Sequence, residues 1–222
     1  MKAHTKVNYM QNLLKGVACI LVILNHFHHN NTFIGNIEYT ISHLAVPIFY
    51  LISGYYLWNG NEKREADRIR GKIIHTIKLL LLFISISLCF QILMSLYHTY
   101  SFGEFGFFLK TRLTIENIIR SFIISQTLFG RGEWFLWGML EAYILIYLSY
   151  RIKPIQILRK HSIIVASLLL IVHVFVRWII ILLGIIKLGD IDLLASYSVR
   201  NVWFDALPFM IIGYGFHQKQ QK

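Results

Sequence analysis

A lysine and a histidine in the first apolar segment have the residue types and the spacing to do chemistry together. Lys15 and His26 are eleven positions apart, close to three turns of helix, so both lie on one helix face about 16 Å apart along the axis. An imidazole can accept a proton near neutral pH, and an ammonium can stabilise a phosphate or a developing negative charge. Spacing alone favours a simpler interpretation, in which Lys15 snorkels and His26 sits among lipid headgroups.

Further ionisable residues fall within other apolar segments. Glu141 and Arg177 are costly in lipid unless they face a bundle interior or a cavity, and His173 precedes Arg177 by one helical turn. We expect Glu141 and Arg177 either to pair or to line a cavity in which parts of the substrate meet. An ion pair that only fixes helix register is an equally good interpretation. Asp205, near the outer end of the last apolar segment, could orient His26 through a hydrogen bond.

The segments that must position these residues are those of a membrane protein. The chain has 222 residues, of which 56% are hydrophobic and 15% charged, with mean hydropathy +0.55. Soluble domains have about 25% charged residues, and apolar stretches of roughly 18 residues indicate a membrane span. The stretches 73–97 and 162–186 both exceed that length. This composition excludes a soluble enzyme, a disordered protein and a disulfide-stapled secreted module, and it predicts an all-α, polytopic transmembrane helical bundle.

Six spans account for the hydropathy pattern, and the loop charges orient them. The predicted spans, within a single membrane domain of residues 1–222, are 10–28, 41–58, 73–97, 134–150, 162–186 and 202–216. With the N-terminus cytoplasmic, the inner segments contain 13 Lys or Arg and the outer segments six. We therefore expect both termini in the cytoplasm of a cell-membrane protein. The stretch near 115–130 has its apolar residues on one helix face and is predicted to lie in the outer interface.

The basic surplus and the histidines of the first segment have simple explanations. A net charge of +11 can indicate nucleic-acid binding, but in so apolar a chain it indicates basic cytoplasmic loops, and no nucleic-acid partner is expected. His26, His28 and His29 cannot all face one side of a helix, and no Asp, Glu or Cys nearby completes a ligand set, so no metal is expected. Cys19 and Cys89 fall in apolar segments, where they act as small hydrophobic residues.

Four short motifs follow one another in the order seen in a known family. Residues 14–27 contain a basic residue, ten intervening positions and a histidine. The later motifs are 45–57, an aromatic run with Ser-Gly-Tyr near its end, 132–137, which contains Trp-Phe-Leu, and the weaker 207–213. This order resembles the bacterial integral-membrane acyltransferase family three, and the motifs cover nearly the whole chain.

The resemblance implies that an acyl group, often acetyl, moves from a cytoplasmic acyl-CoA to a hydroxyl of a cell-surface glycan or sugar. The family uses the first-helix histidine in catalysis, which gives that role to His26. Lys15 occupies the position where the family usually has arginine. Lysine keeps the charge but lacks the planar fork that binds phosphate in bidentate fashion, so we expect weaker activity or a different donor contact.

A second basic cluster precedes the third predicted span. The family has arginines three positions apart there, whereas this chain has Arg68, Arg70 and Lys72, so the basic character is kept and the spacing is not. Such a cluster could hold the phosphates of acyl-CoA by charge attraction. Ordinary topology explains it slightly better, because basic residues stop translocation and bind anionic lipid headgroups.

The mechanism that the resemblance suggests has a base near one membrane face and a donor site near the other. His26 deprotonates the acceptor hydroxyl, which attacks the thioester carbonyl, and Lys15, about 16 Å away, binds the donor. Asn25, Trp134 and Arg177 are candidates to stabilise the oxyanion. The residues expected to line the cavity are Trp134, Glu141, Arg177 and Asp205.

Two other functions stay open, because family members have more spans than this chain. We expect a truncated or short member that lacks the usual last spans. It could then be a degenerate, non-catalytic membrane subunit of the same fold that assembles as a homo- or hetero-oligomer. The other alternative is a component of a small-molecule transporter in which Glu141, His173 and Arg177 mark a path, although the internal symmetry typical of many transporters is absent.

Overall fold

The part of the chain that the structure describes is almost entirely helical. A computed structural model describes residues 9–26, 41–99, 102–124, 128–129, 133–184, 187–188, 191–192 and 201–221, with most of their side chains. Two strands of two residues each, β1 (Lys187–Leu188) and β2 (Ile191–Asp192), pair in antiparallel fashion. The helical fold class predicted from the sequence is confirmed.

The helices of the described residues range from four to 38 residues in length. In chain order they are α1 (Tyr9–His26), α2 (Ala45–Tyr55), α3 (Glu62–Thr99), α4 (Phe102–Arg112), α5 (Ile115–Ile124), α6 (Glu133–Leu148), α7 (Ile157–Lys160), α8 (Ser162–Leu183) and α9 (Leu207–Gln220). A 3₁₀ turn (Lys153–Gln156) precedes α7, and a π-helical turn (Val202–Ala206) leads directly into α9.

Two of the described helices are long and apolar enough to cross a membrane. They are the Glu62–Met94 part of α3 and the whole of α8. α1 and α2 contribute shorter apolar stretches, Asn12–Leu24 and Ala45–Tyr55. α8 buries only Ser162 and Ala166 within the protein, so most of its apolar surface faces outward. These features support a membrane protein, as the composition predicts.

α3 begins well before the predicted start of the third span. The sequence predicts a loop over 59–72, but α3 begins at Glu62 and runs for 38 residues, about 57 Å. Asn61 caps the helix, because its Oδ1 accepts a hydrogen bond from the Arg64 backbone N–H at 3.1 Å. The prediction of a loop is therefore wrong for the basic cluster, which lies on the helix itself: Arg68, Arg70 and Lys72.

Two helices occupy the segment between α3 and α6. The predicted helix near 115–130 is confirmed over Ile115–Ile124, and its start is capped by Thr114, whose Oγ1 accepts the Asn117 N–H at 3.2 Å. α4 was not predicted, because Gly103 and Gly106 lower helix propensity and its aromatic residues show no clear helical spacing.

The core forms where α9 passes between α2 and α8, and glycines make this approach possible. A Cβ on Gly54 of α2 would lie 1.8 Å from the Met210 carbonyl oxygen, and one on Gly213 of α9 would lie 2.0 Å from the Leu51 carbonyl oxygen. Such contact between backbones is typical of small residues at helix interfaces in membranes. The motifs 45–57 and 207–213 therefore meet in space.

Candidate functional site

Lys15 lies on the face of α1 that packs against α2. Its side chain is half-buried, and its Nζ lies 4.7 Å from the centroid of the Tyr56 ring, at the C-terminal end of α2. At this distance a cation and an aromatic face attract each other. Ala18, one turn further along α1, is fully buried. The residue predicted to bind the donor is therefore held at the junction of the two helices.

The position of His26 lies at the other end of α1. One helix contains both Lys15 and His26, so helical geometry places their backbones about 16 Å apart along the axis and only about 20° apart around it. The shared helix is confirmed. The side chains of Asn25 and His26, and all of His28 and His29, lie outside the described residues, so the chemical role of His26 stays a prediction.

Arg68 reaches the residue that Lys15 contacts. Its Nη1 donates hydrogen bonds to the Tyr56 carbonyl at 2.7 Å and to the Trp58 carbonyl at 3.4 Å. Carbonyls at and beyond a helix C-terminus have no partner within the helix, so Arg68 stabilises the turn between α2 and α3. Lys15 and Arg68, which belong to two separate motifs, therefore converge on Tyr56.

The other two members of the basic cluster do not share this contact. Arg70 and Lys72 are exposed on α3. Lys72 follows Arg68 by one turn and lies on the same face of the helix, whereas Arg70 lies about 160° from Arg68 around the helix axis. The structure thus brings Arg68 and Lys72 to one side of the helix and turns Arg70 away.

Glu65, which the sequence did not single out, holds the α2–α3 turn from within. Its carboxylate is 2% exposed. Its Oε1 accepts the backbone N–H groups of Asn59 and Gly60, both at 2.8 Å, and its Oε2 accepts the hydroxyls of Tyr150 at 2.7 Å and Tyr214 at 3.0 Å. We call these five residues the Glu65 cluster. The Asn-Gly-Asn turn directly before α3 is the sequence signal that could have indicated it.

Arg159 adds a second charged contact beside this cluster. It is buried, its Nη1 lies 2.7 Å from Glu62 Oε1, and its Cζ lies 3.9 Å from the centroid of the Tyr150 ring. Burial lowers the pKa of the Arg159 guanidinium, but the hydrogen bond to Glu62 and the charge interactions with Tyr150, Tyr214 and Glu62 together outweigh burial and hold that pKa above its ordinary value. The charged side chain therefore ties the segment before α8 to the start of α3.

His217 closes the same end of the bundle. Its Nδ1 lies 2.7 Å from the Tyr55 carbonyl oxygen, and its ring stacks on the Tyr55 ring with centroids 4.1 Å apart and an angle of 7°. The Tyr55 hydroxyl in turn donates to Gln220 Oε1 at 2.9 Å. We call this end, where the α2–α3 turn meets the C-termini of α6 and α9, the turn end.

A second polar group lies within the bundle, around Tyr50. The Tyr50 hydroxyl donates to the Phe135 carbonyl at 3.1 Å, and its phenol lies within electrostatic range of the Glu141 and Asp205 carboxylates. Glu141 is 8% exposed. Two of the predicted cavity residues, on α6 and in the π-helical turn, are therefore brought to one buried tyrosine of α2.

The π-helical turn that carries Asp205 has its own cap. The Asn201 side-chain oxygen accepts the backbone N–H groups of Trp203 at 3.0 Å and Phe204 at 3.1 Å. The His173 ring of α8 stacks on Phe204 with centroids 4.7 Å apart. Single π-helical turns within helices are frequent at functional sites, and this one adjoins two residues that the sequence marked as candidates.

Arg177 and Trp134 are placed differently from Glu141. Arg177 is exposed on α8, and Trp134 is half-buried at the start of α6 with its ring centroid 6.4 Å from that of Phe135. No ion pair joins Glu141 to Arg177 among the residues that the structure describes. The buried residues of α8 lie in its first two turns, and most of its later residues, apart from His173, point outward.

The fold and the composition are those of a helical protein that contains helices long and apolar enough to span a membrane. The acyltransferase domain of acyltransferase family 3 matches residues 9–222. The chain belongs to this family, as the order of its motifs suggested. No curated protein and no solved structure matches the chain.

Proposed function

We propose that this acyltransferase is a membrane-bound O-acyltransferase that moves an acetyl group from acetyl-CoA to a hydroxyl of a cell-surface glycan or sugar. Family membership supports acyl transfer. The observation that carries the finer proposal is the position of Lys15. Its ammonium sits at the turn end beside Tyr56, and the same helix face leads about 16 Å away to the His26 position.

The proposed topology has six spans, cytoplasmic termini and the turn end in the cytoplasm. Three basic segments predicted to be cytoplasmic lie close together there. The segment before α8 meets the start of α3 through Arg159 and Glu62, and the C-terminal helix meets α3 through Tyr214 and Glu65. Segments on opposite sides of a bilayer could not make these contacts, so the contacts support the positive-inside orientation.

The donor is proposed to bind at the turn end. Lys15 and the exposed residues Arg70 and Lys72 would attract its phosphates as point charges. Arg68 already donates to two carbonyls of the α2–α3 turn, so its first contribution is to fix the position of Tyr56 and hence of Lys15. Lysine in place of arginine gives a single point of contact rather than a bidentate grip.

The reaction is proposed to take place near the other end of α1. His26 takes the proton of the acceptor hydroxyl while the oxygen attacks the thioester carbonyl. The C–O bond forms, the C–S bond breaks, and the CoA thiolate leaves and is protonated by the imidazolium. The buried group around Tyr50, with Glu141 and Asp205 beside it, is the proposed polar wall of the acceptor site.

Transfer of radiolabelled acetyl from acetyl-CoA to membrane glycan tests this function. We expect His26→Ala to lower the rate by about 100-fold or more, the usual contribution of a general base, and Lys15→Arg to retain more activity than Lys15→Ala. His161→Ala and Lys110→Ala, both at exposed positions, are the matched controls and should transfer at the wild-type rate. Wild-type rates in both the His26→Ala and Lys15→Ala proteins would refute the assignment.

The same experiment separates the two other functions. A degenerate subunit would bind labelled acetyl-CoA, and Lys15→Ala would weaken this binding, but the subunit would not release free CoA. A transporter component would neither bind acetyl-CoA nor turn it over. Release of CoA together with a labelled glycan is the outcome that the acyltransferase proposal requires.

A further inference from the structure

The burial pattern of α5 is the reverse of that of an amphipathic helix in a soluble protein. Its apolar residues are exposed: Ile115 is 79% exposed, Ile119 50% and Phe122 55%. Ser121, on its polar face, is fully buried. In a soluble protein the apolar stripe of such a helix faces the core and the polar face is solvated.

Hydrogen bonds fix this orientation. The Asn117 side-chain Nδ2 donates to the carbonyls of Thr111 at 3.0 Å and Arg112 at 3.2 Å, which end α4, and the Ser121 hydroxyl donates to the Asn117 carbonyl at 2.9 Å. The polar face of α5 is thereby satisfied by the α4–α5 turn and by the helix itself. Most of the apolar face points outward, and only part of Phe122 is covered, because its ring meets that of Trp137 on α6 with centroids 5.0 Å apart.

The exposed apolar surface continues onto α4 and the connecting turn. Its large members are Phe107, Leu113, Ile115, Ile118, Ile119 and Phe122. So many exposed apolar side chains on two successive helices indicate a surface that is covered by another protein or by a membrane. We call α4, the turn and α5 the interfacial hairpin.

Positive charge borders the patch. Lys110 and Arg112 are exposed at the end of α4, and Arg120 pairs with Glu116 on α5, so the border carries a net positive charge. Apolar side chains flanked by cations match the boundary between acyl chains and anionic phosphates. A second copy of this chain packing on the same face through a two-fold axis would instead bring like charges together.

We propose that the interfacial hairpin is embedded in the membrane surface at the end of the bundle opposite the turn end, with its apolar face against acyl chains and with Lys110 and Arg112 at lipid phosphates. α3 extends about 57 Å from the turn end, and α4 follows it directly. The hairpin is thus positioned at the far membrane surface. This proposal stands independently of the acyl-transfer reaction.

Spin labels on the full-length protein test the placement. In a Cys19→Ala, Cys89→Ala background, single cysteines replace Ile119 on the hairpin, Leu82 on the exposed apolar face of α3, and Lys160 at the turn end. The protein is reconstituted in vesicles of equal parts phosphatidylcholine and phosphatidylglycerol. Collision rates with oxygen, which concentrates in lipid, and with a water-soluble nickel complex are then measured.

We expect the label at 119 to collide several-fold more with oxygen than with nickel, as at 82, and the label at 160 to show the reverse. A nickel-accessible label at 119 would overturn the proposal. A label shielded from both reagents and broadened by a neighbouring spin would overturn it too, because the hairpin would then be covered by a second copy of the chain.

A charge variant tests the phosphate contact separately. Lys110→Gln combined with Arg112→Gln should reduce the oxygen-to-nickel ratio at 119 in vesicles that contain phosphatidylglycerol, and should change it less in vesicles of phosphatidylcholine alone. An equal ratio before and after the substitution in the anionic vesicles would show that these cations do not contact lipid phosphates. The double variant retains Asn117 and its bonds to the α4–α5 turn, so the hairpin itself should stay folded.

Discussion

Loss of the Glu65 carboxylate should destabilise the protein more than loss of any exposed carboxylate. In Glu65→Ala, the hydroxyls of Tyr150 and Tyr214 and the amides of Asn59 and Gly60 lose their common acceptor. Hydrogen bonds to a charged group contribute about 1.5–3 kcal/mol each. Asn59 and Gly60 are exposed, so water can replace the carboxylate at their amides. The two tyrosines dominate, and we expect a loss of about 3–6 kcal/mol in the free energy of unfolding.

The conservative substitution Glu65→Gln should destabilise the protein less than Glu65→Ala. In Glu65→Gln the side-chain oxygen still accepts from the two amides, and the NH₂ group can donate to the tyrosine hydroxyls, which also accept hydrogen bonds. We therefore expect a smaller loss of about 1–2 kcal/mol, the difference between charged and neutral hydrogen bonds.

The assay is equilibrium unfolding in mixed detergent micelles, with loss of helix and of tertiary fluorescence measured in parallel. Glu116→Gln is the matched control, because it removes an exposed carboxylate that pairs with Arg120 one turn away. Such a pair contributes about 0.3–0.5 kcal/mol. If Glu65→Ala were no more destabilising than Glu116→Gln, the Glu65 cluster would not hold the turn end together.

Three further variants, one of them with a matched control, test other parts of the same fold. Gly54→Ala places a methyl group 1.8 Å from a backbone oxygen of α9, so α2 and α9 must separate. Folded protein should then be largely lost in a detergent gel-filtration assay. In the control, Gly71→Ala, the added methyl group meets nothing within 4 Å, and the substitution should be stabilising by about 0.5–1 kcal/mol. Tyr150→Phe removes one hydroxyl from Glu65 and should lower the unfolding free energy by about 1.5–3 kcal/mol. Arg68→Gln frees the Tyr56 carbonyl and should raise the KM for acetyl-CoA more than it lowers kcat, whereas equal effects on both would contradict its positioning role.

Features that depend only on residues close together in the sequence could be predicted. The Lys15–His26 spacing depends only on helical period, and the structure places both positions in α1. The helix over Ile115–Ile124 was predicted from its one-sided apolar spacing, which the structure also shows as an exposed apolar face. The family follows from the order of the motifs, and the match over residues 9–222 confirms it.

Features that depend on distant partners could not be predicted. Glu65 lies among charged residues at the start of α3, and its tyrosine partners are 85 and 149 positions away, so nothing local marks it as buried. Arg68 has the sequence appearance of a free phosphate ligand, but the carbonyls of the α2–α3 turn occupy its Nη1. The exposure of Arg177 has the same origin, because it depends on which helices pack against the later turns of α8.

Direct binding of acetyl-CoA to the purified protein tests the central claim, which is that the two ends of α1 divide donor binding from proton transfer. We predict that Lys15→Ala raises the Kd for acetyl-CoA several-fold, while His26→Ala leaves this Kd unchanged and lowers turnover by about 100-fold or more. A Kd that is unchanged in Lys15→Ala, or is raised equally by both substitutions, would contradict this division.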